Sequence, residues 1–66
     1  MMKIGERFKS LRIKNNLKQI EFAQRVGISQ STLSEIEKGK SKPSVDTVVS
    51  TSNSFNVTTD WLLKGE

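Results

Sequence analysis

Cysteine and histidine are both absent from this 66-residue chain, and the two absences close off most site chemistry. Without cysteine, no disulfide or thiolate-bound metal can supplement a small core, and cysteine usage says nothing of the redox compartment beyond compatibility with a cytosol. Without histidine there is no imidazole base, and nearly every structural zinc arrangement goes with the pair. Carboxylates, lysines and hydroxyls are what remain for chemistry, so neither an enzyme nor a bound metal or cofactor is expected. No apolar run approaches the roughly 20 residues of a membrane span, and the stretch from Met1 to Leu17 lacks the apolar segment of a signal peptide. The expected location is the cytoplasm. Strand patterns, internal repeats and low-complexity tails are missing as well.

What is present reads as helix. A chain this short forms one domain at most, here residues 1–66, and buries only about 60% of the surface its unfolded form exposes, so its core must be compact. Ile4, Phe8 and Leu11 fall on one helical stripe and predict a first helix from Ile4 to about Asn15. Asn15 and Asn16 suit its end because Asn tolerates the left-handed conformation, and Leu17 comes next as an inward anchor. Phe22, Ala23 and Val26 repeat the stripe in a second helix between Lys18 and Val26, which Gly27 stops. Ile28 plugs the turn. Ser29 is a good N-cap, and a third helix buries Leu33 and Ile36 until Gly39. Lys40 to Ser44 is a loop, with Pro43 denying helix to Lys42 and Ser44 free to cap the next helix. Val45, Val48, Val49, Ser52 and Phe55 mark that fourth helix, about Val45 to Ser54, despite many β-branched and hydroxyl residues. Thr58 and Asp60 predict a last short helix from Thr59 to Leu63, with Trp61 and Leu62 turned to the core. The expected fold class is all-α, five short helices around one core.

Charge adds a direction. The net charge is +4, and positions 3 to 18 hold Lys3, Arg7, Lys9, Arg12, Lys14 and Lys18 against Glu6 alone, with Lys38, Lys40 and Lys42 as a second group. Such clustering creates a field that draws in a polyanion. A solvated, solubilising surface gives the same count, and on charge alone the two readings stand level.

The third helix tips the balance. At about 100° per residue, with Leu33 and Ile36 inward, Ser31, Ser34, Glu35 and Lys38 point outward. Gln30, in the first turn, projects past the helix end. Short hydrogen-bonding groups on a protruding face suit the major groove, where Gln can pair with adenine, Ser with either class of base and Lys with guanine or phosphate. A solvated surface helix would look similar; a helix, a glycine turn and a Ser-capped second helix together make the rigid mount that a reading helix needs.

The run Gln19-Ile20-Glu21-Phe22-Ala23-Gln24-Arg25-Val26-Gly27-Ile28-Ser29-Gln30-Ser31-Thr32-Leu33-Ser34-Glu35-Ile36-Glu37-Lys38-Gly39-Lys40, continued by Pro43-Ser44 and by Asp60-Trp61-Leu62-Leu63-Lys64-Gly65, resembles the Xre family, the Cro and lambda-repressor-like helix-turn-helix proteins of phages and bacteria. The resemblance spans about Ile4 to Gly65. It implies a lambda-repressor-like five-helix DNA-binding domain whose helix-turn-helix occupies about residues 18–39. The third helix would read a palindromic operator in double-stranded DNA, with the protein a homodimer at least on DNA, and no small-molecule ligand is evident. Carried across by position, Gln30, Ser31 and Glu35 look like base-reading residues, with Ser34 beside them. Gln19, Ser29, Thr32, Lys38, Lys40 and Lys42 look like phosphate-contacting ones, Gln19 also as a support for base contacts. Arg12 and Glu37 match a partly buried structural ion pair.

Each residue also has a plainer reading. Gln19 can be a solvated first-turn residue and Ser29 a cap alone. Glu35 can accept from cytosine N4, reject wrong bases by repulsion, or face water. The sequence departs from the family pattern at Lys18, where a Thr or Ser cap is usual, so the second helix is expected to lack a cap there. Thr51 and Ser52 replace an apolar residue and an Ala, which implies a softer fourth helix. Two functions compete: a sequence-specific transcriptional regulator, expected to be a repressor, and a protein-interaction module such as an antitoxin component on the same fold.

Overall fold

A computed structural model describes residues 2–66. Five α-helices succeed one another in chain order: α1 (Ile4–Lys14), α2 (Gln19–Val26), α3 (Gln30–Glu37), α4 (Val45–Phe55) and α5 (Thr59–Lys64). Among the described residues there is no strand, and no helix is long and apolar enough to cross a membrane.

The helix ends are set by local chemistry. Asn16 and Asn56 take left-handed conformations at φ 57° and 54° after α1 and α4, and Gly27 does so after α2 at φ 80°. Ser29, Ser44 and Thr58 each accept the N–H three residues on, from Thr32 at 3.1 Å, Thr47 at 3.1 Å and Trp61 at 3.0 Å. Each such cap satisfies one of the orphan donors of a helix start and is worth about 1 kcal/mol. The missing cap at Lys18 is compensated from the other side, because the Glu21 carboxylate turns back to accept the Lys18 N–H at 2.8 Å. That bond is the Glu half of a capping box, and Glu6 does the same for Lys3 at 2.8 Å.

The core gathers Phe8 and Leu11 from α1, Phe22, Ala23 and Val26 from α2, Leu33 and Ile36 from α3, Val48 from α4 and Leu62 from α5, with Leu17, Ile28, Phe55 and Trp61 half-buried around it. Phe22 meets Phe8 edge-on at 6.3 Å between centroids and stacks on Phe55 at 4.7 Å. Full burial of each large apolar side chain contributes about 1.5–3 kcal/mol. Helix α3 packs against α1 and α2, α4 against α2 and α5, and α5 closes back on α1.

Two features differ from the sequence expectation. Val45 is 79% exposed and Val49 46%, so α4 turns Thr47, Val48 and Thr51 inward instead. Thr51 can turn inward because its hydroxyl donates to Thr47 O at 2.7 Å and so buries without an unmet partner. Arg7 is buried rather than part of a basic surface. Its Nε donates to Leu62 O at 2.8 Å, Nη2 to Leu63 O at 2.9 Å and Nη1 to Met2 O, which satisfies carbonyls left open at the end of α5. Leu63 lies 44% exposed, beside Val45 and Val49.

Candidate nucleic-acid interface

Gly27 leaves α2 in the left-handed region, Ile28 packs against the core, and the Ser29 cap starts α3 at once. The turn is therefore short and held at both ends. With Leu33 and Ile36 buried, α3 presents Gln30, Ser31, Thr32 and Glu35 as exposed residues and Ser34 as a half-buried one. Lys38 ends the helix, Gly39 takes φ 80°, and the backbone N–H of Lys40 returns to Glu35 O at 2.9 Å. That return folds the lysine-rich loop back beside α3.

The result is one open recess of about 370 Å³ bordered by Gln19, Gln30, Ser31, Ser34, Glu35, Lys38 and Lys40. Helix α2 contributes Gln19, helix α3 the polar face, and the loop Lys40. The recess thus brings all four residues assigned to bases together with three assigned to phosphates. Ser29 and Thr32 sit at the start of α3, where the Ser29 hydroxyl donates to Thr32 Oγ1 at 2.9 Å. Lys42 lies apart, beside a separate apolar hollow with Lys3, Ile4 and Pro43. Glu35 leans toward the loop, its carboxylate accepting from the Ser41 hydroxyl at 3.4 Å.

Beneath the recess lies the one salt bridge among the described residues, Arg12 to Glu37, with Nε to Oε2 at 2.7 Å. Arg12 Nη2 adds a second bond to Glu37 Oε1 at 3.0 Å, and Nη1 donates to Leu17 O at 3.1 Å. Hydrogen bonding to Glu37 foremost, and its charge, hold the Arg12 pKa above its ordinary value against the opposing effect of burial. The guanidinium is therefore charged at every working pH. Glu37 Oε1 also accepts from Gln19 Nε2 at 3.1 Å, so the pair reaches the rim of the recess.

With Arg7 and Arg12 committed to interior carbonyls and to Glu37, the cations exposed in the N-terminal stretch are Lys3, Lys9, Lys14 and Lys18. The positive field comes from these and from Arg25, Lys38, Lys40, Lys42 and Lys64, which are exposed too.

Two structural residues were missed by sequence reasoning. Gly5 is buried against the end of α3, where a Cβ would lie 2.1 Å from Ile36 O. A glycine inside a helical run was the available signal for such close backbone approach. Arg7 falls three residues after Ile4 and four before Leu11, on the flank of the apolar stripe, and that spacing was the signal for its burial.

Two helices joined by a glycine turn, the second presenting a polar face rimmed by lysines, define a helix-turn-helix. A family model described as helix-turn-helix matches residues 8–62, and the chain belongs to that family. It is 39% identical over 62 residues to the HTH-type transcriptional regulator ImmR of Bacillus subtilis, covering 94% of this chain and 49% of that protein. It is 44% identical over 54 residues to the antitoxin PezA of Streptococcus pneumoniae, covering 82% of this chain and 34% of that protein. The chain thus spans about half or less of the length of these relatives. The crystal structure of the P22 c2 repressor in complex with a synthetic operator superposes with a TM-score of 0.93 at 27% identity, covering 100% of both chains. The expected likeness to Xre and lambda-repressor-like proteins, and the five-helix fold it implied, hold.

Proposed function

We propose that this chain is the DNA-binding unit of a transcriptional regulator, a repressor that acts in the cytoplasm by occupying an operator. One observation carries the reading: the exposed face of α3 and the lysines behind it border a single recess, in a fold shared end to end with a repressor solved on its operator. Lys38, Lys40 and Lys42, with Gln19, Ser29 and Thr32, set the domain on phosphates, and these contacts fix register without reading sequence. Gln30, Ser31, Ser34 and Glu35 meet base edges in the major groove. Bound protein then blocks polymerase by occupancy, with no catalytic step.

Two copies act together on a palindromic operator. Half-site centres on one face of DNA lie about 34 Å apart, whereas the backbone of this domain extends only 26 × 24 × 22 Å. Neighbouring copies therefore meet along a narrow edge. Pro43, Val45, Val49 and Leu63 form an apolar hollow that begins directly after Lys42 in the loop beside α3, which suits that edge and a second copy as its occupant. Adjacent half-sites on one DNA bring the two copies together, so the dimer is expected at least on DNA.

The likeness to an antitoxin favours a second reading, in which the same fold engages a partner protein. A gel-shift titration against fragments of a bacterial genome at two salt concentrations separates the two. A regulator prefers particular fragments at both salts and binds all of them less tightly at the higher one. Equal binding to every fragment at both salts contradicts the regulator reading.

A further inference from the structure

We propose that Glu37 acts as a positioning residue for base reading: it locks the side-chain amide of Gln19 so that Gln19 offers an acceptor at the recognition recess. The inference rests on the DNA-reading role proposed above. Gln19 Nε2 donates to Glu37 Oε1 at 3.1 Å, and the same carboxylate is gripped by Arg12 through Nε at 2.7 Å and Nη2 at 3.0 Å. The Glu37 side chain is only 4% exposed, so water cannot substitute freely for these partners.

A glutamine amide is ordinarily able to present either edge, because its oxygen and nitrogen are nearly equal in size. Here a half-turn of the amide would bring Oε1 against a carboxylate oxygen, two acceptors with no proton between them. The carboxylate therefore selects one orientation. Arg12 makes the selection firm, since its third bond, to Leu17 O at 3.1 Å, ties the start of α2 to the end of α3.

With Nε2 committed inward, Gln19 retains Oε1 and one N–H, and it borders the recess with Gln30, Ser31 and Glu35. A carbonyl oxygen repels phosphate but accepts from the exocyclic amine of adenine or cytosine, or from the amide of Gln30 as that residue pairs with a base. Holding the group before DNA arrives also removes part of the ordering cost of binding. Gln19 therefore adds base choice, through Oε1, to the phosphate contact open to its remaining N–H, and Glu37, proposed to touch no DNA, acts through it.

The test is selection of bound sites from random-sequence DNA with the wild-type chain, Gln19→Ala, Glu37→Asp and the double variant. Glu37→Asp keeps a counter-charge for Arg12 while withdrawing the carboxylate by one methylene. Gln19→Ala and Glu37→Asp are expected to relax preference at the same base pair by about fivefold or more, and the double variant no further than Gln19→Ala alone. A Glu37→Asp profile identical to wild type, with affinity lowered equally for all sequences, overturns the proposal. Wild-type protein that enriches no sequence overturns the regulator reading and this inference together. Should Glu37→Asp fail to fold, side-chain amide resonances of the wild-type chain decide: one Gln19 Nε2 proton exchanges with water more slowly than those of the exposed Gln24 and Gln30, and equal exchange rates overturn the lock.

Discussion

A Cβ built on Gly5 would lie 2.1 Å from the carbonyl oxygen of Ile36, so at this point the backbone of α1 lies directly against that of the end of α3. Gly5→Ala gains up to about 1 kcal/mol of helix propensity, but the obstructing oxygen is main chain and cannot swing aside. We expect a net loss of about 2 kcal/mol or more, read as a lower urea midpoint. An unchanged midpoint would mean that α1 can shift off α3 without cost.

Arg7 is the second anchor of α1. Arg7→Met keeps the apolar stem while leaving the Leu62 and Leu63 carbonyls without their donors, at an expected cost of about 2–3 kcal/mol. Because this guanidinium faces the interior, the dependence of DNA binding on salt should be the same as in wild type under conditions where both are folded. A fall in slope of about 0.9 would instead mark Arg7 as a phosphate contact.

These two residues also mark how far the sequence could be read. Spacing identified the inward faces of α1, α2 and α3, and glycine, asparagine and hydroxyl residues marked the ends, because both signals act within a few residues along the chain. Gly27, Ser29 and the Leu33–Ile36 pair were legible for that reason. The local pattern marked Gly5 as unusual and Arg7 as flanking the apolar stripe, but their partners, like that of Gln19 in Glu37, lie on elements up to 56 residues away that meet only in space. Val45 misled because it fits the helical spacing of Val48 and Val49 yet lies in the first turn, where α4 has no neighbour to cover it. Thr51 misled the other way, its hydroxyl finding a partner one turn back.

The recess assigns different roles to its polar face and its lysines. Gln30→Ala and Ser31→Ala should change which base is preferred, each by roughly 1–3 kcal/mol of discrimination. Lys40→Ala should weaken binding to all sequences alike and reduce the salt slope by about 0.9. Affinities measured for matched and mismatched sites across salt concentrations check both, and the reverse pattern would mean that the two faces are exchanged.

Val45 is 79% exposed, so Val45→Asp should leave stability within about 0.5 kcal/mol of wild type. If Val45 lies at the proposed edge between two copies, the paired carboxylates repel, and cooperative filling of the second half-site should be lost while affinity for a single half-site is unchanged. Titration of operators carrying one or two half-sites measures this. Retained cooperativity would place the contact between copies elsewhere on the surface.

Helix α3 is proposed to read sequence for two copies at once, and selection of bound sites from random DNA gives the sharpest check. The expected result is an enriched inverted repeat with half-site centres about 34 Å apart, whose preferred bases change in Gln30→Ala and Ser31→Ala. Enrichment of no sequence, or of one that both variants select unchanged, would contradict it.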